Sequence, residues 1–224
     1  MMRSNNPTDS GPAGSTATSF LPMERIDASC RGPLMFLFTA ALLWLGVGSV
    51  FAVLSSIKMH APGMLANIDW LTYGRVRPVA VDIFLYGFLS QAGIAAAIWI
   101  LCRLGRTPLV GGGALVVGAL FWNLGVLLGV FSILAGSSSG YEWLEFPRYV
   151  TAALFFSYLV MGVSAVLTFA FRQQKETYAS QWFILAALFV FPWLISTAGL
   201  LLQVSPVRGS AQAAINYWYM NGFL

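Results

Sequence analysis

The chain has 224 residues, of which 58% are hydrophobic and only 9% charged, and its mean hydropathy is +0.75. A soluble domain carries roughly 45–50% apolar and about 25% charged residues, so there is too little charge here to cover a water-facing globule. Soluble enzymes, nucleic-acid readers and secreted disulfide scaffolds are excluded, and the net charge of +4 is assigned to loops at an anionic bilayer surface.

Residues 1–22 are rich in Ser, Thr, Asn, Pro and Gly, contain no apolar run, and are predicted to form a disordered tail. Residues 23–224 are predicted to form one transmembrane helical domain. Cys30 follows Asp27-Ala28-Ser29 in a superficial lipidation box, but no apolar segment precedes it, so a signal peptidase has nothing to hold. With only Cys102 as a second cysteine, no disulfide framework exists, and both are read as reduced and structural. Crossing a bilayer takes roughly 20 mostly apolar residues, and five stretches supply them: 33–57, 79–101, 109–134, 149–171 and 182–204. A sixth begins near Ala211 and stops at Leu224, as though the chain were cut inside a helix. The expected fold is therefore all-α: a polytopic transmembrane helix bundle with five complete spans and the start of a sixth.

Placing the N-terminus in the cytoplasm puts Arg3, Arg25, Arg31, Arg103, Arg106, Arg172 and Lys175 inside, against Lys58, Arg75, Arg77, Arg148 and Arg208 outside. That excess of inner basic residues sets the expected orientation. In the third span Gly125 and Gly129 form a Gly-x-x-x-Gly step, and Gly118 and Trp122 fall on the same face, a pattern for close helix packing. Pro192, mid-span in the fifth, is expected to kink it.

The stretch from His60 to Gln91 holds the chemistry. Asp82 lies four residues inside the second predicted span, and an intramembrane carboxylate is costly enough to mark a candidate site. Tyr86 and Ser90 follow at steps of four, on the same helix face if the helix is regular. The blander reading, favoured by the shallow depth, is that Asp82 reaches water or pairs with Arg75 or Arg77. On that reading Asp82→Asn costs roughly 0.5–2 kcal/mol and Asp82 is structural. His60 is the sole histidine and is assigned to the first outer loop. One imidazole cannot supply a bis-histidine haem or a three-imidazole metal site, so no cofactor is predicted for this chain alone. No phosphate loop, dinucleotide fingerprint or Ser/His/Asp set is present.

The run Trp70-Leu71-Thr72-Tyr73-Gly74-Arg75-Val76-Arg77-Pro78 resembles the start of the second helix of subunit I of haem–copper oxidases, specifically the cbb-type cytochrome c oxidases. There a Gly-Arg-x-Arg-Pro-x-His-x-Asn pattern supplies an axial histidine to a low-spin haem b. Cys102-Arg103-Leu104-Gly105-Arg106, Tyr178-Ala179-Ser180-Gln181-Trp182-Phe183 and Asn216-Tyr217-Trp218-Tyr219 look similar as well, the last to the helix where the family places a copper-ligating histidine. By this resemblance the haem-ligand position is Ala80, the family asparagine is Asp82, and the copper-ligand position is Asn221. A methyl group cannot donate to iron, and a carboxamide is a poor copper ligand. The resemblance implies a bacterial inner-membrane protein in a respiratory complex with partners such as membrane-anchored cytochromes c, incomplete and not catalytic by itself. Separately, the position of Arg75 and Arg77 directly before Pro78 at a helix entrance predicts that both are held by anions, whether lipid phosphates, haem propionates of a partner, or Asp82. Two other readings are a metal-free structural or assembly subunit and a small proton or cation transporter using Asp82. The latter calls for inverted repeats, and none is visible.

Overall fold

The structure is a computed structural model that describes residues 21–223; nearly all of the tail predicted at 1–22 lies outside them. Six helices follow in order: α1 Met23–His60, α2 Tyr73–Gly105, α3 Gly112–Leu134, α4 Arg148–Ala170, α5 Ala179–Val204 and α6 Ser210–Phe223. The first five are long and apolar enough to cross a membrane, and the described residues contain no strand. One end of the bundle carries the loops 61–72, 135–147 and 205–209, and the other carries the start of α1 and the loops 106–111 and 171–178.

Helix ends differ from the hydropathy reading where polar residues continue a helix past the apolar run. α1 begins at Met23, ten residues before the predicted span, and passes through Pro33. It also runs on to His60, which sits in its last turn rather than in a loop. α2 begins at Tyr73, so Arg75, Arg77 and Pro78 lie within its first turns instead of ahead of it. Hydropathy marks the lipid-soluble part of a helix, whereas backbone hydrogen bonding continues as far as sterics allow.

The core is built by close approach. A Cβ placed on Gly118 would lie 2.8 Å from Met161 Cγ and 3.1 Å from the Ser157 carbonyl oxygen, and one on Gly129 would lie 2.5 Å from the Phe146 ring. The small-residue face of α3 thus seats α4 and the loop leading into it, as its spacing predicts. Trp122, fully buried on that face, packs against the rings of Tyr158 and Phe191. On the outside, Leu43, Val50, Phe131, Phe156, Phe183 and Phe189 are exposed, an apolar surface that only lipid or another apolar partner solvates.

Two breaks in helix regularity are met by side chains. Pro192 lacks an N–H and leaves the Leu188 carbonyl without its helical donor; the Tyr158 hydroxyl donates to that oxygen at 2.8 Å. α2 widens into a π-helical turn over Ile83–Leu89. There Trp122 Nε1 donates to the Tyr86 carbonyl at 2.8 Å, and Gln91 Nε2 to the Gly87 carbonyl at 2.7 Å. Asn123 ties this turn to α1, donating to Gln91 Oε1 at 2.9 Å and accepting from Trp44 Nε1 at 2.7 Å. Such bonds matter in hydrocarbon, where an unmade backbone bond costs several kcal/mol, of the order of ~2–7.

At the opposite end, Arg103 holds Asp27 in a bidentate pair at 3.0 and 2.7 Å, with both side chains about two-fifths exposed at 42% and 39%. Cys30 and Cys102 lie beside it, both free and buried.

Candidate functional site

The π turn decides which residues of α2 face inward. Its wider loop inserts one residue into the four-residue repeat. Asp82 and Tyr86 keep a common buried face, while Gln91 takes the next buried place where Ser90 was expected. Ser90 turns away to donate to the Leu85 carbonyl at 2.8 Å and lines an apolar cleft with Leu89, Gly93, Tyr158 and Phe191. The structure brings Asp82 and Tyr86 together and separates Ser90 from them.

Asp82 is 0% exposed, and neither of its carboxyl oxygens has a hydrogen-bond partner. Its neighbour is Glu145, from the loop 135–147, 8% exposed and with Oε2 unpartnered. Ionised carboxylates only accept hydrogen bonds, so two of them face to face have no donor between them. Glu145 lies outside the spans, and its burial pushes its carboxyl above the usual range, with Glu142 adding repulsion.

The loop is pinned over α2 by several contacts. The Tyr86 hydroxyl donates to the Trp143 carbonyl at 2.6 Å, and the Tyr86 ring packs 5.2 Å from Phe146. Because its one proton is used there, the bond between the Tyr86 and Tyr219 hydroxyls is donated by Tyr219, which brings α6 into the site. Gln203 Nε2 donates to the Leu144 and Phe146 carbonyls at 3.1 and 2.8 Å, adding α5. Trp143 has φ +65°, the left-handed conformation that turns the loop back on itself.

Arg75 does not pair with Asp82. Its Nη1 donates to the Leu134 carbonyl at 2.9 Å, at the C-terminus of α3, where a cation is favoured. Arg77 is exposed. The modest loss expected for Asp82→Asn rested on an arginine pair that is not formed. Tyr219 enters the sequence reading only within the Asn216-Tyr217-Trp218-Tyr219 run and Glu145 not at all; the one signal for Glu145 is an acidic residue set among the aromatics of Tyr141-Glu142-Trp143-Leu144-Glu145-Phe146.

The profile of the family described as Cytochrome C and Quinol oxidase polypeptide I matches residues 33–221. The chain belongs to this family. It is similar to cytochrome c oxidase subunit 1 of Rhodobacter capsulatus, at 25% identity over 80% of this chain and 36% of that protein. It is also similar to the Cbb3-type cytochrome c oxidase subunit CcoN1 of Stutzerimonas stutzeri, at 22% identity over 80% and 39%. A cytochrome c oxidase subunit 1 homolog of Azorhizobium caulinodans is 22% identical over 89% and 38%. The chain therefore spans less than two-fifths of the length of these curated relatives.

In this oxidase-family chain Ala80, Asn221 and His60 stand on three different helices. Ala80 is buried at 8% exposure and offers only a methyl group. Asn221 is exposed on α6 and donates back to the Tyr217 carbonyl at 2.8 Å. His60 is exposed at the end of α1, its Nδ1 3.2 Å from the Ser56 carbonyl. No group of three or more His, Cys, Asp or Glu side chains placed to hold a metal occurs among the described residues.

Proposed function

We propose that this chain is a subunit I-like component of a bacterial respiratory electron-transfer complex of the cbb type, and that it is not catalytic by itself. The observation that supports this reading is Ala80. It stands on a buried face of α2 within an oxidase-family chain, the resemblance equates it with the axial histidine, and a methyl group cannot bind iron. The part left to the chain is that of a membrane-embedded helical subunit beside electron-carrying partners. The relatives named above are cytochrome c oxidase subunits, and the resemblance to the cbb type implies membrane-anchored cytochromes c among those partners. The tagged chain, extracted from native membranes in mild detergent, is expected to bring with it a subunit that stains for covalent haem, while its own band does not stain. A chain that purifies alone and monodisperse would sink this reading.

The proposed location is the inner membrane with the N-terminus in the cytoplasm, since the basic residues are more numerous at that end. The exposed Arg77 is then at the outer surface, where its planar guanidinium suits a lipid phosphate or a partner's haem propionate. In intact spheroplasts, Arg77→Cys in a background lacking Cys30 and Cys102 is expected to react with a membrane-impermeant maleimide. Labelling only after the membrane is permeabilised would reverse the orientation.

A further inference from the structure

We infer that Asp82 and Glu145 form a carboxyl–carboxylate pair that holds one exchangeable proton at the loop 135–147 end of the bundle. The inference does not rest on the proposed respiratory role. It starts from unmet bonding: both Asp82 oxygens and Glu145 Oε2 are buried without a donor. Two ionised carboxylates in that position repel each other and have lost their water, while a single proton between them makes a hydrogen bond that engages two of the three orphaned oxygens and halves the charge.

Backbone N–H groups of Glu145 and Trp143 favour the ionised form of Glu145, but both Asp82 oxygens are left without a donor. On α2 itself the near titratable group is Tyr86, whose proton goes to the Trp143 carbonyl. From α6 comes Tyr219, whose proton goes to Tyr86. The loop contributes Glu142, which acts on Glu145 with the same sign of charge. The α1 face packed on the π turn presents Gly48 and Trp44, neither of them charged. Two cations at this end are engaged with carbonyl oxygens, Arg75 with that of Leu134 on α3 and the buried Lys58 of α1 with that of Met64. The pair is thus anionic, buried and without a neutralising partner among these neighbours, and a proton is the smallest species that satisfies it. Glu145 belongs to the loop 135–147, so exchange with water takes place on that side.

The test is infrared spectroscopy of the purified chain in detergent. At neutral pH the wild type is expected to show a protonated-carboxyl stretch, equivalent to one group, that shifts in heavy water. Glu145→Gln and Asp82→Asn are each expected to remove or displace that band, because it belongs to the pair. Circular dichroism and gel filtration establish that each variant is folded. Should Asp82→Asn fail to fold, the wild type and Glu145→Gln still decide the matter. Absence of the band in folded wild-type protein would overturn the inference, as would a band indifferent to Glu145→Gln. Its disappearance when calcium chloride is added in place of potassium chloride would also overturn it, by making the pair a cation site.

Discussion

Gly118→Leu is expected to unfold the bundle or lower its stability by about 3 kcal/mol or more, at the upper end of what overpacking costs. Gly118 lies where α3 meets α4, and the first carbon of any side chain would stand 3.1 Å from the Ser157 carbonyl oxygen and 3.3 Å from the Met161 nitrogen. These are backbone atoms of a helix and cannot rotate away as a side-chain tip would. Relief requires the two helices to separate, which would strip contact from Gly125 and Leu154 and from Gly129 and Phe146, next along the same seam. Gly113→Ala is the matched control, because a Cβ there meets nothing within 4 Å and alanine is the better helix former. Denaturant titration of helicity in detergent distinguishes the two. Equal midpoints for Gly118→Leu and wild type would show that α3 and α4 do not pack through this face.

Supplied with haem b in detergent, the chain is expected to give no bis-imidazole spectrum. Two axial imidazoles are needed, the sequence contains one histidine, and that one stands at the end of α1 rather than on α2. Ala80→His tests the correspondence with the resembled family from the other direction. It places a donor on α2, where only a methyl group is present, and is expected to yield at most a single-imidazole complex, because the one other histidine, His60, is exposed at the far end of α1. The larger ring must also be accommodated at a buried position, at roughly 1–3 kcal/mol. A stoichiometric bis-imidazole spectrum from the unaltered chain would refute the ligand argument outright. Failure of folded Ala80→His to bind any haem would instead remove the support for aligning position 80 with the family's ligand.

Both expectations draw on features that were legible in the sequence to different degrees. The five spans were, because apolar length against bilayer thickness is a local property. So was the packing face of α3, since Gly118, Trp122, Gly125 and Gly129 share a helical side whatever they meet. The polar helix extensions, such as the start of α1 before Pro33, were not, because hydropathy does not report backbone hydrogen bonding. The face shared by Asp82, Tyr86 and Ser90 was assumed from a regular repeat. Ile83 to Leu89 contains no residue that announces a π turn, and what sustains it comes partly from elsewhere: Trp122 on another helix, with Gln91 braced by Asn123.

The surroundings of Asp82 show the division most clearly. Its residue type and depth fixed, in the sequence, that a costly carboxylate lies inside a span. Its neighbours could not be fixed in the same way, because the nearest charges along the chain, Arg75 and Arg77, are only candidates until the helices assemble. Assembly gives Arg75 the end of α3 to cap, turns Arg77 outward, and folds a distant loop so that Glu145 covers Asp82. Local sequence determines what each helix is and which side of it is apolar. Which loop closes over which helix end is decided by packing among all of them, through contacts such as Tyr86 with Trp143 and Gln203 with Phe146 that no single segment contains.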